Sequence, residues 1–311
     1  MKEVPKLPII DLSSPDLLST ANSLRQACIE YGFFYVVNHG VEEELTGKVF
    51  EESNKFFSLP LEDKMKLFRK EDRGYTPLFW RDTPSLLCSQ SDSKEIFYVG
   101  PLEDISMVRE PQHKWPSQEI LPSWRATMES FYKKVFSVGK RLLSLIALAL
   151  DLNEDYFEKA RKLDRPTAFL RLLRYPGRFG DSGEEIYGAS AHSDYGMITL
   201  LVSNGVRGLQ VCRDKSKEAR VWEDVVHING AFIVNIGDMM ERWTNCLFRS
   251  TLHRVMLSGQ ERYSVAFFLD PNEDYVVQCI ESCCSESSPP RFPPIRSGDY
   301  LKEHFKLTFG S

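Results

Sequence analysis

Between Ala168 and Ile280 the chain is a succession of short apolar runs: FLRLLRY, GMITLLVS, GLQVCR, RVWEDVV, AFIVNIG, LHRVML, RYSVAFFL and DYVVQCI. Each spans six to eight residues. Gly, Asn, Asp and Pro punctuate them, as turn residues do between strands. Many short strands at such spacing predict an antiparallel two-sheet sandwich or double-sheet jelly roll. In a small barrel of this kind, side chains from separate strands converge at the mouth.

The preceding half has a different period. Residues 7–12 (LPIIDL) predict a first strand, and residues 14–31 carry apolar side chains at helical spacing, with Pro15 near the start and Gly32 at the end. Phe33–Val37 (FFYVV) predicts a strand and residues 42–57 a second amphipathic helix, ended by Leu59 and Pro60. Residues 70–115 are loop-rich, with short strand signals around Glu95–Val99. Residues 121–150 predict a long helix, residues 154–161 a shorter one, and RSGDYLKEHFKLTF a C-terminal helix. No internal repeat and no long linker is evident, so one integrated unit is expected. It divides into an N-terminal region (1–115), bracing helices (116–165), a jelly-roll core (166–280) and a C-terminal segment (281–311). The predicted fold class is mixed α and β, with the helical N-terminal part packed on the jelly roll.

Within the strand-rich half lies His192-Ser193-Asp194, followed about sixty residues later by His253. Two imidazoles and one carboxylate are the ligand set of the facial triad of non-haem Fe(II) oxygenases, which leaves coordination positions open for a co-substrate and O2. Nine residues beyond His253 come Arg262 and Ser264. Two apart on a strand, they point to one face. A guanidinium and a hydroxyl there could hold a carboxylate, with bidentate contact from the arginine. Triad plus clamp predicts an Fe(II) enzyme using 2-oxoglutarate. A lone H-x-D pair is weak evidence; the ordered set His192, Asp194, Gly196, Thr199, His253, Arg254, Arg262 and Ser264 is much stronger.

Composition narrows the class. The chain has 311 residues, 42% hydrophobic and 27% charged, as in ordinary globular proteins. A net charge of −5 with no basic stripe argues against nucleic acid or an anionic membrane as partner. No apolar run reaches the roughly 18 residues of a membrane span, and MKEVPKLPIIDLSS lacks the apolar core of a signal peptide. Seven scattered cysteines with no CxxC pair fit reduced thiols in the cytoplasm. A monomer acting on a small molecule and O2 is the expectation.

Longer stretches carry a family likeness. LPIIDLS, YGFFYVVNHGV, FFSLPLEDKMK, RGYTP, DSKEIFYVG, WPSQEILP, LRLLRYPG, AHSDYGMITLL, GLQV, NIGDMMERWTN, STLHRV and RYSVAFFLDP cover nearly the whole chain. In combination they resemble plant soluble 2-oxoglutarate/Fe(II)-dependent dioxygenases, of the isopenicillin N synthase-like fold. The resemblance implies iron at His192, Asp194 and His253, and 2-oxoglutarate at Arg262, Ser264 and Tyr175, with ascorbate as a supporting reductant. It also implies oxidation of a small metabolite, by hydroxylation or a related outcome, with succinate and CO2 as co-products. Two departures stand out. Leu173 replaces a polar residue usual near the iron, and Cys246 replaces a turn glycine, which predicts a different backbone conformation there.

Other residues divide between site and scaffold. His39 is expected to make a structural hydrogen bond, while His113, His227 and His304 should be solvated. Asp238 should organise a turn or a contact behind the metal. Strand alternation turns Arg174 away from the site and puts Arg171, Leu173 and Tyr175 on one face. Phe268 and Asp270 follow Ser264 at even spacing. Phe268, Asp270, Arg171, Tyr195 and Ile96 are the candidate substrate contacts. Each has a structural reading beside it: Phe268 as core filler, Arg171 as partner of a nearby carboxylate. Two further functions use the same fold: an iron oxidase that does without 2-oxoglutarate, and a non-catalytic small-molecule-binding protein.

Overall fold

The computed structural model describes residues 7–70, 73–78, 93–102, 115–159, 163–177, 187–213 and 220–309. The first helix, α1 (Leu17–Glu30), starts where the Asp16 side chain accepts a hydrogen bond from the Ser19 amide. It buries Thr20, Ala21, Leu24, Ala27 and Cys28, one stripe at helical spacing. Gly32 ends it at φ +64°, where a Cβ would sit 2.0 Å from the Arg249 carbonyl oxygen, so no other residue fits. Helix α2 (Glu43–Phe57) follows the predicted bounds to one residue, and α3 (Leu61–Met65) adds a short turn after Pro60. The long helix α4 (Trp124–Ala149) buries a continuous apolar face. Its Gly139 lets the backbone approach the Leu269 side chain, 2.8 Å from where a Cβ would lie.

Strands β1 (Ile9–Asp11), β2 (Phe33–Val37), β3 (Gly74–Thr76), β4 (Glu95–Val99), β5 (Thr167–Tyr175), β6 (Tyr187–His192), β7 (Ile198–Ser203), β8 (Leu209–Cys212), β9 (Trp222–Asp224), β10 (Phe232–Ile236), β11 (Leu252–Met256) and β12 (Arg262–Asp270) build two sheets. The larger has the order β1-β2-β10-β7-β12-β5-β4-β3, and the smaller β6-β11-β8-β9. Apart from the parallel β1–β2 edge, every pairing in them is antiparallel. Alternation divides the larger sheet cleanly. Phe34, Val36, Phe97, Leu170, Leu172, Leu200, Val234, Val265, Phe267 and Leu269 pack against α1, α2 and α4 in the main core. Phe33, Tyr35, Ile96, Tyr98, Phe169, Leu173, Tyr175, Ile233 and Ala266 face the smaller sheet's Ala189, Leu209, Val211 and Val255 in an inner layer. This is the jelly-roll core with a helical part packed on it that the sequence predicts.

Three expectations need correction. Residues 154–159 form turns, not a helix; Asn153 and Asp155 accept the turn hydrogen bonds through their carbonyls. Strand β6 and the six-residue helix α5 (Asp238–Trp243) were not expected as elements. And the backbone at Cys246 keeps the conformation that glycine would favour: Asn245 and Cys246 have φ of 54° and 67°. The hydrogen bonds of Cys246 N to Glu241 O and of the Asn245 side chain to Cys283 O and Pro289 O hold this corner despite its cost. The last helix, α6 (Ser297–Phe309), packs beside α5.

Candidate metal and co-substrate site

His192 is the last residue of β6, and His253, on β11, is its direct partner across the antiparallel ladder. Asp194 stands in the turn that follows β6. Strand pairing therefore brings together residues sixty positions apart. Asp194 Oδ1 lies 3.9 Å from His192 Nε2 and 3.7 Å from His253 Nε2. Two ligands bonded to one ion at roughly 2.1 Å stand between about 3 and 4.2 Å apart, so these spacings suit a single metal. No other such cluster exists among the described residues.

Hydrogen bonds aim all three groups. His192 Nδ1 faces the Ser190 carbonyl at 2.7 Å and His253 Nδ1 the Thr251 carbonyl at 3.2 Å. Each Nδ1 then carries the proton and each Nε2 presents a lone pair. Asp194 Oδ2 accepts from Thr199 Oγ1 at 2.6 Å and from Asn235 Nδ2 at 2.7 Å. Only Oδ1 is left for an ion, which makes Asp194 a one-oxygen ligand. Burial opposes its ionisation, but the two imidazoles and the two hydrogen bonds outweigh burial and hold its pKa below the usual value. Burial, helped by the neighbouring His253, pushes His192 down to about 4, so its imidazole is neutral. Its side chain is nonetheless 42% exposed, against 8% for Asp194 and 10% for His253. Of the three groups, His192 is the one that solvent reaches.

The turn is braced from behind. Asp238 N donates to the Asp194 carbonyl at 2.7 Å, and Ser193 Oγ donates to Asp238 Oδ2 at 2.9 Å. That is the turn-organising role predicted for Asp238. Asp270 accepts from the Met197 amide at 2.6 Å. Gly196 makes room for it, since a Cβ there would lie 1.8 Å from Asp270 Oδ1. Burial pushes the Asp270 carboxyl up to about 7.

On β12, Arg262 and Ser264 share the inner face, and Tyr175 of β5 is the cross-strand partner of Arg262. Arg262 Nη1 donates to Ser264 Oγ at 3.0 Å, and its guanidinium carbon lies 5.0 Å from the centre of the Tyr175 ring. The arginine is 3% exposed and its Nε has no hydrogen-bond partner. Burial pushes its pKa down, and no carboxylate pairs with it among the described residues. A buried cation with a free edge is stabilised by an anion brought from outside. Leu173, which faces Ser264 across the ladder, is an apolar member of the inner layer.

Of the five candidate substrate contacts, Ile96 and Phe268 lie in or against the inner layer. The Arg171 guanidinium carbon lies 4.5 Å from the centre of the Phe268 ring. Asp270 stands at the end of the same face, tied to the metal-ligand turn. Tyr195 lies apart from the inner layer: it packs against the main core and meets His304 of α6 with ring centres 5.1 Å apart, tilted by 36°. His304 is accordingly packed between Tyr195 and Tyr300, not merely solvated. His39 holds the Gly230 carbonyl and the Val41 amide, as a structural residue does. His227 is exposed and His113 lies outside the described residues. Arg174 turns away to Glu95 and Glu261, as predicted. Asn235 is the residue that sequence reasoning missed. The sequence offers only one amide in the otherwise apolar FIVNI strand, with no motif around it.

Comparison with known proteins agrees with this geometry. Residues 7–118 match the model described as non-haem dioxygenase in morphine synthesis N-terminal, and residues 166–271 match the 2OG-Fe(II) oxygenase superfamily. The chain is 40% identical to kihadalactone A synthase LFS of Citrus sinensis, over 98% of this chain and 93% of that one. It is 39% identical to azadirone synthase LFS of Melia azedarach, over 96% and 92%. Among solved structures, a full-length Neurospora crassa protein in complex with alpha-KG and thymine superposes with a TM-score of 0.85, at 27% identity over 99% of each chain.

Proposed function

The chain belongs to the 2OG-Fe(II) oxygenase superfamily, and from that premise we propose that His192, Asp194 and His253 hold the iron while Arg262, Ser264 and Tyr175 hold the far carboxylate of 2-oxoglutarate. The enzyme is a 2-oxoglutarate-dependent dioxygenase. When bound, Fe(II) supplies a redox-active Lewis acid with open positions for the keto-acid end of 2-oxoglutarate and for O2, coupling its decarboxylation to succinate with oxidation of the substrate.

The observation that carries the assignment is the buried Arg262, whose Nε has no hydrogen-bond partner and which no described carboxylate pairs, on the sheet that faces the triad. Each residue has a defined task. Asp194, ionised and single-pronged, leaves the ion's other positions free. His192, held neutral by burial, and His253 present Nε2. Arg262 and Ser264 fix one end of a five-carbon diacid, so its other end is directed towards the triad. The Tyr175 ring covers the guanidinium face and keeps water from it.

The substrate is a small metabolite received on the inner face between Ile96 and Phe268, with Arg171 and Asp270 as polar contacts. The Neurospora crassa protein binds thymine, also a small molecule. The enzyme is read as a monomer without nucleic-acid or membrane partners; no described helix is long and apolar enough to cross a membrane. Six described cysteines are all free, which favours a cytoplasmic setting.

The test is anaerobic titration with Fe(II) and 2-oxoglutarate, followed by succinate release in air with ascorbate. His253→Ala is expected to lose iron-dependent turnover while keeping its circular dichroism. Arg262→Lys keeps the charge and loses the fork, and should weaken 2-oxoglutarate binding by about 2–4 kcal/mol. An unchanged 2-oxoglutarate KM in Arg262→Lys would refute the clamp.

A further inference from the structure

Among the described residues, β5 carries a cation on the inner face besides the Arg262 of β12: Arg171. Alternation along β5 puts Phe169, Arg171, Leu173 and Tyr175 on one side, with Ala266 of β12 and Tyr98 of β4 as the cross-strand neighbours of Arg171. Four residues at about 3.3 Å each separate Arg171 from Tyr175. Arg171 therefore stands well along the strand from the co-substrate clamp, towards the Asp270 end where the metal-ligand turn is anchored.

Its guanidinium is caged. The guanidinium carbon lies 4.5 Å from the ring centre of Phe268, 5.2 Å from Tyr98 and 5.3 Å from Phe169. Phe169 and Phe268 also stack on each other at 4.9 Å and 17°. Aromatic faces satisfy the flat faces of a guanidinium and leave its N–H edge unsatisfied. Arg171 Nε is buried and has no hydrogen-bond partner. No carboxylate among the described residues lies within ion-pair distance of it. Asp270, the acid whose charge Arg171 influences, is engaged by the Met197 amide, and burial holds its pKa near 7. Among the described residues, no carboxylate neutralises the caged positive charge of Arg171.

We propose that Arg171 anchors a carboxylate of the substrate, so that the substrate class is an apolar carboxylic acid lying against Phe268, Phe169 and Ile96. The fork of Nε and Nη fits a carboxylate edge-on, and the aromatic side walls fit an apolar body. The inference rests on the reading of this site as an iron and 2-oxoglutarate centre.

The test uses the full chain loaded with redox-inert Mn(II) and saturating 2-oxoglutarate, which blocks the Arg262 clamp. Calorimetry then compares phenylacetate with phenylacetamide and cyclohexylacetate with cyclohexylacetamide, pairs alike in shape and unlike in charge. Each acid is expected to bind about tenfold or more tightly than its amide. Arg171→Gln should abolish the preference and Arg171→Lys restore part of it, both with wild-type affinity for 2-oxoglutarate, which reports an intact fold. The proposal is overturned if acid and amide bind alike, if thymine binds more tightly than either acid, if no acid binds, or if the preference survives Arg171→Gln. Failure of the Mn(II)-loaded wild type to bind 2-oxoglutarate would overturn the reading of the site itself.

Discussion

Asp194 shows how a single carboxylate acquires a function through its neighbours. Thr199 and Asn235 are cross-strand partners on β7 and β10, and both donate to the same oxygen of Asp194. Contacts of this kind behind a metal ligand are typically worth about ten- to a hundredfold in metal affinity. Asn235→Leu should therefore weaken Mn(II) or Fe(II) binding by roughly that factor, measured by calorimetry, with near-wild-type far-UV dichroism. Thr199→Val, which removes one donor and keeps shape, should fall in the same direction. Unchanged metal affinity in both would mean that Asp194 aims itself. At this scale the H-x-D pair, the distal histidine and the Arg262–Ser264 pair could be picked out as candidates because the expected chemistry needs those residue types, and strand pairing brings them together. Asn235 was not legible, because a buried amide inside an apolar strand has no motif. Nor was the packing of Tyr195 against the main core, because it depends on α6, about a hundred residues further on.

At the scale of elements, legibility follows how much of an element's cause is local. Helices α1, α2 and α4 announce themselves by apolar period, β2 by a continuous β-branched and aromatic run, and β5 and β12 by short apolar-rich runs between turn signals. Strand β6 (YGASAH) has little β-propensity of its own and exists because β11 pairs with it. Its Gly188 is required by the Tyr175 ring, 2.5 Å from where a Cβ would be. Helix α5 is too short to show a period. The corner between α5 and β11 holds two consecutive left-handed non-glycine residues. Relieving one of them should stabilise the fold: Cys246→Gly is expected to gain about 0.5–1 kcal/mol, a rise in Tm of roughly 1–3 °C for a chain of this size. Differential scanning calorimetry decides; a fall in Tm would show that the corner depends on the Cys246 side chain.

For the whole molecule, the N-terminal segment is not a separate layer. It supplies β1 and β2 at one edge of the larger sheet and β3 and β4 at the other, and Phe33 packs against His253 at 5.3 Å. The buried acid Asp270 links global stability to pH. Its folded pKa of about 7 lies above the ordinary 3.8. A carboxyl raised in the folded state stabilises fully below its unfolded pKa, and that contribution is lost as pH rises through the folded value. About three units correspond to roughly 4 kcal/mol between pH 4 and pH 8. Asp270→Asn keeps the acceptor for the Met197 amide, so it should flatten the fall in metal-free Tm over that range. Parallel slopes for wild type and variant would place the titration elsewhere.

The ladder between β6 and β11 carries a further consequence. β6 is the edge strand of the smaller sheet, its register with β11 shifts beyond His253, and the two histidines face each other across the seam. An ion gripped by both imidazoles would act as a rivet through that seam, closing an edge that regular hydrogen bonding secures only in part. Edge closure and ion occupancy then favour one another reciprocally. An ion held there would thus be a structural member of the sheet, at the place where the ladder is irregular.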